Sequence, residues 1–159
     1  MIVDSGRTDV IGTFVIYNLP DRECGTTKPR NELVNNADGE ARYKAFIDDI
    51  RAALSSFSVI PRVAFIIEPA AITNLLAFKV STDCTAADPV YRDLITYAIT
   101  LLALPNVALY LDGGDSSMLG WDDTISAAAK TFTDIYKSAG NPQNLRGVRI
   151  SSPHFPSYQ

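Results

Sequence analysis

Residues 62–71 read RVAFIIEPAA. Five consecutive apolar residues, Val63 to Ile67, held between Arg62 and the Glu68-Pro69 pair, describe a strand covered by protein on both faces. Its neighbours decide the class. Upstream, EARYKAFIDDIRAALSSF (40–57) sets Tyr43, Phe46, Ile47, Ile50, Leu54 and Phe57 at steps of three and four, which predicts an amphipathic helix. Downstream, ADPVYRDLITYAITLLAL (87–104) has helical spacing through Val90, Leu94, Ala98, Leu101 and Leu102, with Asp88 as N-cap and Pro89 at the first helical position.

The pattern extends outward. IGTFVIYNLP (11–20) predicts a strand over Ile11 to Tyr17, and the polar DRECGTTKPRNELVNNADGE (21–40) predicts a long surface loop. NVALYLD (106–112) is a further buried strand, and DDTISAAAKTFTDIYKSAG (122–140) a further helix, started at Asp122 or Asp123 and stopped by Gly140. LRGVRIS (145–151) predicts the fourth strand. Buried strands joined by helices run parallel, because parallel neighbours need a crossover connection. The class is α/β, one domain over residues 1–159, and either an open doubly wound sheet or part of a barrel fits.

Composition excludes some functions. The 159 residues carry 47% hydrophobic and 20% charged residues and a net charge of -4, with 14 Lys and Arg placed singly. That disfavours nucleic acid and anionic membrane surfaces as partners. No apolar run approaches the ~20 residues that span a bilayer, and MIVDSGRTDV (1–10) has no signal-peptide pattern. Cys24 and Cys84 are an even pair, either two thiols or a disulfide.

In both architectures ligands sit beyond the carboxyl ends of the strands. Those ends carry Asp21, Glu23, Glu68, Asp112 and Asp115. Each acid alone can cap a helix or pair with Arg22; together, with no glycine-rich phosphate cradle, they suit a neutral polyhydroxylated ligand. His154 is the only histidine and reads as a surface residue, which excludes a histidine-based zinc cage or a serine triad built on another histidine. Trp121 is either a core aromatic or a sugar-stacking platform. No cofactor is implied.

VIYNLPDREC (15–24), IIEPAAITNLL (66–76), LPNVALYLDGGDSSMLGW (104–121) and LRGVRIS (145–151) resemble, in order and spacing, the segments of glycoside hydrolase family 6, the cellobiohydrolases and endoglucanases that cut β-1,4-glucan. The resemblance runs from about Phe14 to Phe155. It implies a distorted β/α barrel, of which this chain forms about half, with a cleft or tunnel over the strand ends. It also implies inversion at the anomeric carbon, which requires a protonated acid at the leaving oxygen and a water activated on the other face.

The family's acid is the aspartate after Glu-Pro, and that position here is Ala70. A methyl group donates no proton, and general acid help is worth ~10² to 10⁴ in rate. A second family aspartate, which modulates the acid, falls on Glu23. The family's stacking tryptophan falls on Met118, a histidine on Asp115, a water-positioning serine on Pro29 and an asparagine on Ser151. Tyr17, Arg22, Glu68, Asp112 and Trp121 match the family, with Tyr17 beneath the sugar at the cleavage point and Trp121, Met118, Asp115 and Glu68 at substrate-binding positions.

The resemblance also implies a Cys24–Cys84 disulfide and hence an extracellular setting. The expected function is a hydrolytically inactive relative that retains weak binding of β-1,4-glucan or cello-oligosaccharide. The alternatives are an atypical inverting endoglucanase using Glu23 or Asp112, and a secreted interaction protein on a cellulase scaffold. Half a barrel exposes two sheet edges, so either a homodimer across them or a flattened, closed three-layer sandwich is expected.

Overall fold

The computed structural model describes residues 10–25, 32–57, 62–79, 81–115 and 122–151. Strands β1 (Gly12–Ile16), β2 (Val63–Ile67), β3 (Val107–Asp115) and β4 (Leu145–Ser151) form one parallel sheet in the order β1-β2-β3-β4. The connections carry helices α1 (Ala37–Ser55), α2 (Ala71–Ala77), α3 (Thr82–Leu102) and α4 (Asp122–Ser138).

The core shows which face the helices cover. Ile16, Val63, Phe65, Ile67, Val107, Leu109 and Leu111 are buried against Tyr43 and Ile47 of α1, Ile72 and Leu75 of α2, Tyr91, Leu94, Ile95, Ala98, Ile99 and Leu102 of α3, and Ile135 of α4. The alternate residues Ala64, Ile66, Ala108 and Tyr110 are only half-buried, and Val15 on β1 is exposed. Because side chains alternate along a strand, the helices lie on one face and the other is open among the described residues. This is the layout of a barrel segment; among the described residues no helix lies on the second face, so they do not make the three-layer sandwich expected as an alternative. Both edges present apolar side chains, Phe14 and Val15 on β1 and Val148 and Ile150 on β4.

Local chemistry sets the boundaries. Asn36 caps α1 by accepting from the Gly39 amide at 2.9 Å, and Asp38 and Glu40 sit in its positively polarised first turn. After α4, Gly140 takes φ 82° while its amide bonds Lys137 O and the Asn141 amide bonds Tyr136 O, both at 3.0 Å. That pair of bonds is a Schellman stop.

The sequence misplaces two helical features. α3 begins at Thr82 after Ser81, so Pro89 lies inside the helix and Asp88, instead of capping it, pairs with Arg92 at 2.6 Å. The Cys24–Cys84 disulfide that the family resemblance implied is present and ties these upstream turns. α2 was not anticipated; its seven residues are too few for a periodic stripe, and its N-cap, Ala70, supplies no side-chain bond.

Candidate functional site

Ile16, Ile67, Leu111 and Val148 share one register row across the sheet. Tyr17, Glu68, Asp112 and Arg149 stand one position further on, just past the ends of β1 and β2 and near the ends of β3 and β4, and parallel strands put them on one rim. Just beyond lie Arg22, Glu23 and Cys24 on the first strand's loop and Ala70 on the second's.

Asp112 is buried and fully engaged. Its Oδ1 accepts from the Gly114 amide at 2.7 Å and the Ala70 amide at 3.2 Å, and its Oδ2 pairs with Arg149 Nη1 at 3.0 Å. Three donors satisfy a carboxylate that would otherwise be costly to bury. The Gly114 amide reaches Oδ1 from a backbone at φ 72°, where an added Cβ would lie 2.7 Å from Thr73 Cγ2. Glycine is required there by both conformation and space.

On the first strand's loop, Tyr17 Oη donates to Glu23 Oε1 at 2.7 Å. The Arg22 guanidinium lies 4.3 Å from the Tyr17 ring centroid and its Nη1 donates to Tyr17 O at 2.6 Å. Partial burial, reinforced by the Glu23 bond and charge, pushes the Tyr17 hydroxyl up to about 12. Tyr91 Oη of α3 donates to Asp21 O at 2.6 Å, and the Cys24–Cys84 disulfide fastens the same loop to the same helix.

Glu68 is placed differently from a ligand contact. It is 1% exposed, and its carboxyl turns toward the first strand's loop, accepting from the Asn18 amide at 3.0 and 3.1 Å and the Leu19 amide at 3.3 Å. Burial pushes its pKa up to about 7, against these amide bonds and Arg22, which act to lower it. The buried Tyr43 hydroxyl faces it from α1 without completing a hydrogen bond of good geometry.

Ala70 has φ 61° and ψ -7°, the left-handed region, and its methyl group brings no polar atom to the rim. Of the six non-glycine residues with positive φ among those described, Asp21, Glu23, Glu68 and Ala70 sit at the ends of β1 and β2. Such backbone costs of order 1 kcal/mol or more per residue and gathers at functional sites.

Asp115 closes β3 opposite Ser151 on β4. Met118, Trp121, Pro29 and His154 lie outside the described residues. The rim therefore brings together Tyr17, Arg22, Glu23, Glu68, Ala70 and Asp112. Sequence reasoning missed Arg149, Tyr43, Tyr91 and the Asn18 and Leu19 amides; only the alternation in LRGVRIS signalled any of them, by setting Arg149 on the open face.

Residues 2–159 match the sequence model of Glycosyl hydrolases family 6. A 1,4-beta-D-glucan cellobiohydrolase of Podospora anserina is 43% identical over 91% of this chain, and exoglucanase 2 of Hypocrea jecorina 41% identical over the same share. In each case the match covers 30% of the relative's own length. Among solved structures, a Humicola insolens cellobiohydrolase in complex with glucose and cellotetraose superimposes with a TM-score of 0.89 at 33% identity, over 99% of this chain and 45% of that one. A family 6 enzyme from Coprinopsis cinerea gives 0.87 at 30% identity, over 99% and 43%. With its four-stranded parallel sheet, its disulfide and its strand-end rim, this chain belongs to glycoside hydrolase family 6.

Proposed function

We propose that this chain is a non-hydrolytic family 6 scaffold whose strand-end rim binds β-1,4-glucan or cello-oligosaccharides weakly. The observation that carries the proposal is Ala70. In an inverting mechanism a carboxylic acid must protonate the leaving oxygen, and the residue standing after Glu68-Pro69 has only a methyl group. Its amide is also committed to Asp112.

The neighbouring acids do not replace it. Asp112 has both oxygens engaged by the Gly114 and Ala70 amides and by Arg149, which commits it to the scaffold. Glu23 Oε1 is engaged by the Tyr17 hydroxyl on the first strand's loop, away from the position after Glu68-Pro69. Binding is supported by the retained Tyr17 and Arg22, clustered with Glu23, and by the cellotetraose in the Humicola insolens structure. The disulfide and the fungal cellulase relatives support an extracellular setting.

The test is isothermal titration with cellotetraose together with a reducing-sugar assay on amorphous cellulose, run on the wild type and on Ala70→Asp. Weak heats and no sugar release by the wild type are expected. Sugar release that tracks the purified polypeptide would overturn inactivity, and absence of both titration heat and retention on cellulose would overturn glucan binding.

A further inference from the structure

Both lateral edges of the sheet are open among the described residues. The Gly12 amide donates to Arg62 O and Ile16 O accepts from the Glu68 amide, so Gly12, Phe14 and Ile16 turn their backbone groups toward β2, and the amides and carbonyls of Thr13 and Val15 face outward. On the far side β4 pairs only with β3. A strand edge with free backbone groups and apolar side chains is a template for pairing. These edges are apolar, for Phe14 and Val15 are each 56% exposed, Val148 41% and Ile150 60%.

The two edges differ in shape. At β4, Phe132 and Tyr136 of α4 stand apart from Leu145 and Val148 over Leu111, and an apolar groove of about 240 Å³ lies between them on the helix-covered face. At β1, Phe14 is in register with the buried Phe65 and so lies on that same face, its ring 5.9 Å from that of Phe65 and more than half of its surface bare. Gly12 leaves room for it, since a Cβ there would lie 3.0 Å from the Phe14 ring. One chain thus carries a projecting aromatic at one edge and an apolar slot at the other.

A second copy of the chain is the occupant that these features fit. A two-fold axis along the strand direction sets β4 of each copy beside β1 of the other, keeps every strand parallel and closes both seams at once, whereas a single repeated seam would grow without end. Four strands and four make a ring of eight, a number at which side chains fill a barrel interior. The sheet has the curl that a ring requires: it superimposes on a family 6 enzyme with a TM-score of 0.89, and one hollow at its amino end is lined from Ile11 beside β1 to Arg146 on β4. Over the two seams, Phe14, Val15, Tyr136, Val148 and Ile150 of each copy supply on the order of 1,000 Å² of apolar surface, where specific interfaces begin.

We propose that two copies of this chain associate through two identical seams, β4 of each against β1 of the other, with Phe14 of each copy seated in the groove between α4 and β4 of its partner. The pairing completes the rim. Tyr17 and Glu23, just past β1, come to stand beside Arg149 at the end of β4 in the other copy, so that the strand-end residues of both copies surround one opening. The seams form whether or not a sugar is bound, so the pairing stands apart from the reading of Ala70.

The experiment is size-exclusion chromatography with light scattering over a wide range of concentration, on the wild type, on Phe14→Glu and on Ile150→Lys. The wild type is expected at twice the mass of one chain, and each variant, changed at an exposed position of one edge, as a monomer with unchanged circular dichroism. Mixed in equal amounts, the two variants are expected to pair again, because one seam of the mixed pair is wild type and the other sets the introduced carboxylate against the introduced ammonium. A wild type that stays monomeric at every concentration overturns the pairing and leaves the open edges to other polypeptide. Growth into larger species overturns the closed ring, and a dimer disrupted by Phe14→Glu but not by Ile150→Lys is a β1-to-β1 pair and overturns it as well. Should the variants fail to fold, small-angle scattering of the wild-type dimer decides: a radius of gyration of about 20 Å, that of a compact body of twice this length, upholds the ring, and an elongated particle overturns it.

Discussion

The amide of Ala70 donates to Oδ1 of Asp112 across 3.2 Å, so the turn after β2 is tied to the end of β3 through main chain rather than through the side chain at position 70. The rim's geometry consequently does not depend on the residue that occupies this position, and chemistry and scaffold can be altered separately there.

Ala70 holds φ 61°, a region in which asparagine and aspartate are several-fold enriched over alanine. Ala70→Asn is expected to raise stability by about 0.5 to 1 kcal/mol, from relief of the left-handed penalty and a better helix start for α2. Denaturant unfolding checks this. A loss of stability would mean that the surroundings of position 70 do not admit a larger side chain.

Asp112 should tolerate very little. Asp112→Ala strips the acceptor from the Gly114 and Ala70 amides and leaves Arg149 without this partner. A cost of about 2 to 4 kcal/mol is expected. Asp112→Asn, which keeps one acceptor oxygen for the amides, should cost less than half as much in the same urea titration.

At Gly114 the backbone and the neighbouring Thr73 act together. Gly114→Ala forces a methyl group to 2.7 Å from Thr73 Cγ2 in a left-handed backbone. It is expected to destabilise by about 2 kcal/mol. The double variant with Thr73→Ser, which removes the offending methyl, should recover only the steric part, and thermal unfolding measures the difference.

The Tyr17 hydroxyl should titrate above a free tyrosine, at about 12, because partial burial and the Glu23 carboxylate both disfavour its charged form. A raised tyrosine favours the folded form below pH 10, and this contribution is lost as pH climbs toward 12. Absorbance titration near the tyrosinate band reports it. Glu23→Gln is expected to move the midpoint downward, and an unchanged midpoint would show that the bond to Glu23 contributes nothing.

The strands were legible because Val63 to Ile67 and its neighbours are apolar runs bounded by turn residues, but the expected cover on both faces was not found, since helices cover only one face among the described residues. The amphipathic α1 was legible for the same kind of reason, a stripe long enough to repeat. α2 was not, since seven residues make too little periodicity to separate from a loop. The early start of α3 was hidden by Pro89, which reads as a first-turn proline although the helix begins seven residues before it. At the rim, acids at strand ends could be read as a group, but not the direction in which each points. Glu68 satisfies itself on the amides of Asn18 and Leu19, and backbone donors carry no letter in a sequence.

The bond between Cys24 and Cys84 lies directly after Glu23 in the chain and closes a span of 60 residues. In the chain-entropy description such a link stabilises by about 4 kcal/mol, but its location matters as much as its magnitude. Material kept reduced would lose the covalent tie between the first strand's loop and α3, leaving the Tyr17–Glu23 corner to noncovalent contacts such as the Tyr91 bond to Asp21 O, so a preparation with native secondary structure could still differ at the rim.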